Sequence, residues 1–458
     1  MAVGKRILVV GGVAAGPSAA SKAARTNPDA HVTLFELTDT ISYGICEIPF
    51  FLAGEVRQED LVVHTPASLG KEKGVEVRTL QLVESISTAR RTIVVREVAT
   101  GRVYEERFDR LVLATGARPR PLNLAGEQAR NVFPVRSYDG ACALRRYLET
   151  EHPRNVVIVG GGYIGIEMAE ALRSRECEVT VLERRNEILH DLDAPARAFV
   201  ADILARRGVR LVAGAQVVAL PVDASQRVSH VLTPDGSYPA DLVIVATGVI
   251  PATELAGTAG IRLGTRGGIL VDQRMQTSVD GIFAAGDCCE YRDIVTRKWV
   301  YAPLATNANR AGWVAGQNAA GGRAAFPGVL RSTALRVFDG EVARTGLTAE
   351  EARDAGLHVV AETITSRSRV PVMPGSAPLS VSLTAEHETG RILGGTLWGT
   401  EGAVLRSHAL AVALHQGMTL EQFQKTDFAY APPFSPLWDP LLIAANALEK
   451  LRTHGTRP

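Results

Sequence analysis

The chain has 458 residues, enough for two to four domains, and its 46% hydrophobic and 22% charged residues are the balance of an ordinary soluble globular protein. A formal net charge of +1 gives no bulk attraction for nucleic acid or an anionic membrane, and no apolar run reaches the roughly 18 residues of a transmembrane helix. Five scattered cysteines (Cys46, Cys142, Cys177, Cys288 and Cys289) do not make a secreted disulfide framework, so a reducing, cytoplasmic compartment is expected.

The first element is a buried-strand pattern, Arg6-Ile7-Leu8-Val9-Val10, running into Gly11-Gly12-Val13-Ala14-Ala15-Gly16 and a small-residue helix from Pro17 to about Thr26. A second strand, His31 to Phe35, ends at Glu36, 20 residues beyond Gly16. This is a dinucleotide-binding fingerprint in its proper context. Gly11, Gly12 and Gly16 let the backbone approach a pyrophosphate, the helix N-terminus supplies N–H groups, and Glu36 accepts ribose hydroxyls. Valine at position 13 departs from the strict glycine pattern. Lys5-Arg6 and the apolar run behind them resemble a signal peptide, but the segments that follow complete a nucleotide fold.

Ser42-Tyr43-Gly44-Ile45-Cys46-Glu47-Ile48-Pro49-Phe50 follows. Cys46 stands ten residues beyond Glu36 with no second cysteine nearby, which excludes a local two-cysteine disulfide. A lone thiolate here can attack a disulfide or persulfide and be released from the mixed disulfide by two electrons. The plainer alternative is a small buried hydrophobe.

The strand Asp109 to Leu113 ends in the turn Ala114-Thr115-Gly116, and Asp241 to Val245 ends in Ala246-Thr247-Gly248. Between them, Asn155 to Val159 enters Gly160-Gly161-Gly162-Tyr163-Ile164-Gly165, and the strand Glu178 to Leu182 ends at Glu183, 18 residues after Gly165. This second match is strict. An acid at 183 binds a 2′-hydroxyl and repels a 2′-phosphate, favouring NADH, although Arg184 and Arg185 leave NADPH open. Thr277 to Asp287 then returns the chain to the first unit, and its Gly286-Asp287 pair suits a carboxylate near a flavin ribityl chain. Cys288 and Cys289 are read as inert packing, since neighbouring cysteines rarely pair without backbone strain.

Two glycine loops, paired Ala-Thr-Gly turns, a Gly-Asp segment and one early cysteine together resemble the FAD-dependent pyridine nucleotide–disulfide oxidoreductases, over about residues 5 to 445. Ser42-Tyr43 with Cys46, Ile48, Pro49 and Phe50 is similar to their single-cysteine branch, the coenzyme A-disulfide and -persulfide reductases and NADH oxidases or peroxidases. The resemblance implies an α/β fold with an FAD domain (1–120 and 251–325), an NAD(P) domain (121–250) and a C-terminal α+β dimerisation domain (326–458). It implies FAD at Gly11, Gly12, Gly16, Glu36, Thr115, Gly116, Gly286 and Asp287. Nicotinamide cofactor is implied at Gly160, Gly162, Gly165 and Glu183, with Glu167 close to the nicotinamide and the flavin. Phe428 to Ser435, containing Tyr430-Ala431-Pro432-Pro433, resembles the segment whose tyrosine reaches the partner subunit's reactive cysteine in a homodimer; Tyr430 has that implied role.

By position, Lys22, Arg25 and Lys73, with Ser18 and Ser42, are candidates to hold coenzyme A phosphates. Glu47 stands where the family has a small residue, and Pro371 to Gly375 lacks a family tyrosine. Val13-Ala14-Ala15 lacks the loop histidine of oxidases and peroxidases, and no metal site or appended rhodanese domain is expected. The expected reaction is hydride transfer from NADH to FAD, then electron transfer to Cys46 and reduction of a small disulfide or persulfide, with the flavin and the following helix lowering the Cys46 pKa. The alternatives are an electron-transfer flavoprotein or NADH oxidase, and a non-catalytic NADH sensor.

Overall fold

A computed structural model describes residues 4–454. The apolar run Arg6–Val10 becomes the central strand of a parallel five-stranded sheet, in the order Ile282–Ala284, Arg110–Leu113, Arg6–Val10, His31–Phe35, Glu76–Arg78. Val9 is fully buried between its parallel neighbours Leu34 and Val112, as a near-continuous hydrophobic strand requires when both sheet faces are covered. The helix Ala15–Thr26 covers one side and packs along Ala305–Ala319. Small residues permit that close approach: a Cβ on Gly312 or Gly316 would lie 2.3 and 2.0 Å from carbonyl oxygens of Ala15 and Ala19. Residues 5 to 20 are thus strand, turn and helix.

The second unit repeats the plan in the order Arg210–Ala213, Glu178–Glu183, Asn155–Val159, Leu242–Val245, Val132–Pro134, again parallel. The chain passes between the units twice, and the passages are bound to each other. Ala117–Pro119 pairs antiparallel with Val249–Pro251; Thr115 Oγ1 donates to the Ala252 carbonyl at 2.6 Å and Thr247 Oγ1 to the Arg120 carbonyl at 2.8 Å. The two Ala-Thr-Gly turns are therefore the two sides of one crossing.

The C-terminal part is a five-stranded antiparallel sheet, ordered Thr333–Val337, Gly340–Gly346, Ile392–Gly399, Pro378–Glu386, Val359–Arg367, with the helices Ala403–Gln416 and Pro440–His454 packed against it. It is joined to the second unit by Arg344, whose 2%-exposed side chain pairs with Asp191 at 3.2 Å and with Glu351. Such a buried cation is tolerable only because carboxylates surround it. No described helix is long and apolar enough to cross a membrane.

Candidate active site

The glycine loops of the two units are copies in three dimensions. Gly11 (φ +106°) and Gly160 (φ +117°) lie in the region closed to side chains, and a Cβ there would meet the Ala114 and Ala246 carbonyl oxygens at 2.1 and 2.3 Å. A Cβ on Gly16 would fall 1.7 Å from the Gly11 oxygen, and one on Gly165 2.0 Å from that of Gly160. The acid at the end of the second strand turns back in both: Glu36 accepts from the Gly12 N–H at 2.6 Å and Glu183 from the Gly161 N–H at 2.7 Å. Glu36 also accepts from the backbone N–H and hydroxyl of Thr38, each at 2.9 Å.

Gly162 and Gly116 differ from these. A Cβ on either meets no protein atom within 4 Å; the left-handed backbone of Gly116 (φ +70°) calls for glycine by itself, but at Gly162 (φ −83°) neither packing nor backbone does. Open space at a helix N-terminus beside a glycine loop is what a pyrophosphate needs. Tyr301 points the same way: its buried hydroxyl has no hydrogen-bond partner, and its pKa is raised by burial and by Asp287. The donor set therefore fits dinucleotides at both loops.

Cys46 is attached directly to the first loop. The Ser42 N–H donates to the Gly12 carbonyl at 2.8 Å, and the Gly44 N–H to the Leu61 carbonyl at 2.9 Å. Four residues further on, the chain enters the six-residue helix Ile48–Ala53, ended by Gly54 in the left-handed region (φ +92°). So short a helix does not hold itself together in water. Ile48, Phe51 and Leu52 anchor it in a core shared with Ile166, Leu335 and Val337. Arg145 donates to the Phe51 carbonyl at 2.8 Å and Arg175 to that of Leu52, satisfying the helix's free carbonyls. Cys46 itself is exposed.

The protein's own charges around the thiol act against the expected lowering of its pKa. Partial desolvation, then Glu47, Glu167 and Asp287, all raise its pKa, and Arg136 opposes them. The protein's own groups therefore disfavour the thiolate, and the short helix does not offset three carboxylates. Glu47 folds back so that its carboxylate fills the position a Gly44 Cβ would take, 2.0 Å from it. Asp287 is held by Arg136 at 2.6 Å, and both side chains are largely buried. Glu167, half-buried on the helix Tyr163–Arg173, has its pKa pushed up to about 7 by burial and then by Glu170, against the pull of Arg336.

The remaining candidates are placed as follows. Ser18, Lys22 and Arg25 share one face of the first helix by spacing, but Ser18 Oγ donates to the Asn309 carbonyl at 2.9 Å and the Lys22 ammonium lies 4.0 Å over the Trp313 ring. Lys73 lies 3.4 Å from Glu72, Ser42 is buried, and Arg25 is exposed at its helix end. Thr115 spends its hydroxyl on the crossing described above. Gly286 is braced by the Tyr291 hydroxyl, which donates to its carbonyl at 2.9 Å and accepts from its N–H at 2.8 Å. Tyr430 is exposed on a surface with Phe434, Leu437 and Trp438. Cys288 and Cys289 are buried free thiols, Sγ to Sγ 3.8 Å. No motif in the sequence marks Arg136, Arg145, Arg175 or Arg336, each of which reaches the Cys46 region from a separate part of the chain.

Two dinucleotide folds with one exposed cysteine beside the first loop define a flavin- and pyridine nucleotide-dependent single-thiol oxidoreductase architecture. The chain belongs to the pyridine nucleotide-disulphide oxidoreductase family: that family's model matches residues 5–312, and its dimerisation domain matches residues 333–440. It is 37% identical over 453 residues to an NAD(P)H coenzyme A polysulfide/persulfide reductase of Pyrococcus horikoshii, covering 97% of this chain and 98% of that protein. It is 32% identical to an NADH oxidase of Methanocaldococcus jannaschii, covering 97% and 99%. Among solved structures, a NAD-dependent persulfide reductase from A. fulgidus superposes with a TM-score of 0.94 at 35% identity, covering 98% of this chain and 83% of that one. The enzyme is thus an FAD-dependent oxidoreductase using NAD(P)H.

Proposed function

We propose that this enzyme is a cytoplasmic, homodimeric NADH-dependent reductase of small disulfides or persulfides, with coenzyme A-linked sulfur as the leading substrate and Cys46 as the reactive thiol. The observation that carries the reading is the attachment of the Cys46 segment to the first glycine loop through Ser42 and Gly12, with Glu167 of the second unit and Asp287 of the return turn both close enough to act on the thiol. Bound FAD supplies two-electron exchange between pyridine nucleotide and sulfur.

The chain's own groups divide the remaining work. Gly11, Gly12, Gly16, Glu36, Gly116, Gly286 and Asp287 would hold FAD, with Thr115 fixing the turn beside it. Gly160, Gly162, Gly165 and Glu183 would hold NADH. Reduction of RSSR′ by NADH takes up one proton, giving two thiols and NAD⁺, and Glu167, its pKa pushed up to about 7 by burial, would supply it. Tyr430 and its apolar neighbours suit a surface covered by a second subunit, from which the phenol would meet the partner's thiol.

Steady-state oxidation of NADH with coenzyme A disulfide, a coenzyme A persulfide, cystine and O₂ tests the reading. The coenzyme A substrates should give the highest kcat/KM. Faster turnover with O₂ than with any sulfur substrate would make the enzyme an oxidase instead, the activity named for the Methanocaldococcus relative.

A further inference from the structure

Against the helix that follows Cys46 lies a small pocket whose lining includes Pro49, Phe50, Glu55, Glu167, Glu170 and Arg336. Three parts of the chain meet there: the helix after Cys46, the helix of Glu167, and the first strand of the C-terminal sheet. Arg336, on that strand, engages all of them. Its two terminal nitrogens donate to both oxygens of Glu55 at 2.9 and 2.6 Å, and one also lies 2.9 Å from Glu170. The guanidinium stacks 4.6 Å over the Phe50 ring. The far oxygen of Glu170 accepts from the Phe338 N–H at 2.7 Å, so Glu170 is bound twice to the C-terminal strand region.

We propose that Arg336 is a positioning residue of the reductive site: by holding Glu55 and Glu170 together it locks the Cys46 segment to the helix of Glu167 and leaves Glu167 as the one carboxyl of the pocket free to carry a proton. This rests on the reading of Cys46 and Glu167 above. A bidentate, ring-stacked guanidinium has a geometry that a lysine ammonium reproduces only in part.

The electrostatic sense follows from the groups that face Glu167. On its own helix that group is Glu170, whose negative charge favours the protonated form; from the C-terminal strand it is Arg336, which opposes it. From the Cys46 side come Glu55, paired with Arg336, and Cys46 with its neighbour Glu47. Removing Arg336 takes away the opposing cation and leaves the charge on Glu170 unneutralised. Both changes make Glu167 hold its proton to higher pH. The first strand of the C-terminal sheet would thereby set the proton supply of the site through a residue that does not itself react.

The test uses the FAD-loaded protein with Arg336→Gln, Arg336→Lys and Glu167→Gln. Infrared difference titration follows the protonated carboxyl band of Glu167, identified by its loss in Glu167→Gln, alongside the pH profile of kcat. In the unaltered enzyme the band and the rate should both fall as pH rises through about 7. Arg336→Gln should move both midpoints upward by roughly half to one pH unit, and Arg336→Lys should return them part of the way. A band that is lost in Glu167→Gln but keeps its midpoint in Arg336→Gln would overturn the proposal, as would the absence of any Glu167-dependent band near neutrality. The infrared readout does not depend on turnover, so it is separable from the role of Cys46, which Cys46→Ser tests.

Discussion

Arg136 donates to a carboxylate oxygen of Asp287 at 2.6 Å, joining the segment that follows Val132–Pro134 of the second unit to the return turn of the first. This pair sits in the charge field of Cys46, where Arg136 opposes three carboxylates. Because only the thiolate is alkylated, the flavin-free Arg136→Met protein should react with iodoacetamide at fixed neutral pH roughly threefold more slowly, the factor of about half a pKa unit. Rates of Cys46 labelling followed by mass spectrometry check this. An unchanged rate would show that Arg136 does not act on the thiol.

The same assay tests the raised thiol pKa. In flavin-free protein the labelling rate of Cys46 should inflect above the ordinary thiol value of about 8.5. Glu47→Gln removes the largest charge contribution and should shift the inflection down, speeding labelling near neutrality by roughly two- to fivefold. An inflection below the ordinary value without flavin would mean that the protein alone activates the sulfur.

The glycines of the second loop should separate into structural and ligand-contacting positions. Gly165→Ala drives a Cβ to 2.0 Å from the Gly160 oxygen and should destabilise the fold by at least about 1–3 kcal/mol, seen as a lowered Tm. Gly162→Ala meets nothing within 4 Å. It should leave Tm unchanged within about 0.5 kcal/mol equivalent and raise KM for NADH roughly tenfold or more. Equal KM values in Gly162→Ala and the unaltered enzyme would remove Gly162 from the NADH site.

Glu183 accepts from the Gly161 N–H at 2.7 Å and from the Arg185 N–H at 2.8 Å, which holds the acid at the loop with two arginines beyond it. Glu183→Ala should lower kcat/KM for NADH by roughly tenfold and that for NADPH by much less, so that the preference narrows or inverts. Equal losses for both cofactors would show that Glu183 supports the loop but does not discriminate.

Much of this architecture is legible in the sequence because its determinants are local. Glycine at 16 and 165 is dictated by the carbonyls of Gly11 and Gly160 in the same loops, and Glu36 and Glu183 end strands whose apolar runs are plain to read. The attachment of Cys46 is legible only as proximity, since the bond from Ser42 to Gly12 depends on a loop conformation with Ser42 at φ +48°. The arginines are not legible at all. Arg145, Arg175 and Arg336 converge on one short helix from sequence distances of roughly 100 to 300 residues, and nothing in their immediate surroundings marks them. The carboxylates that raise the thiol's pKa are hidden from the sequence for a related reason. The helix after Cys46 is adjacent in sequence, whereas Glu167 and Asp287 arrive through the fold. Ser18 shows the converse, a residue of suitable type and place whose hydroxyl already donates to Asn309.

The most direct measurement is made on Cys46→Ser, purified with its flavin and mixed with NADH and then with coenzyme A disulfide in a stopped-flow spectrophotometer. The variant should bleach the flavin absorbance with NADH at close to the normal rate and show no reoxidation by the disulfide above the background without enzyme. Reoxidation by coenzyme A disulfide at the unaltered enzyme's rate would contradict the assignment of the sulfur at position 46 as the point where electrons leave the protein.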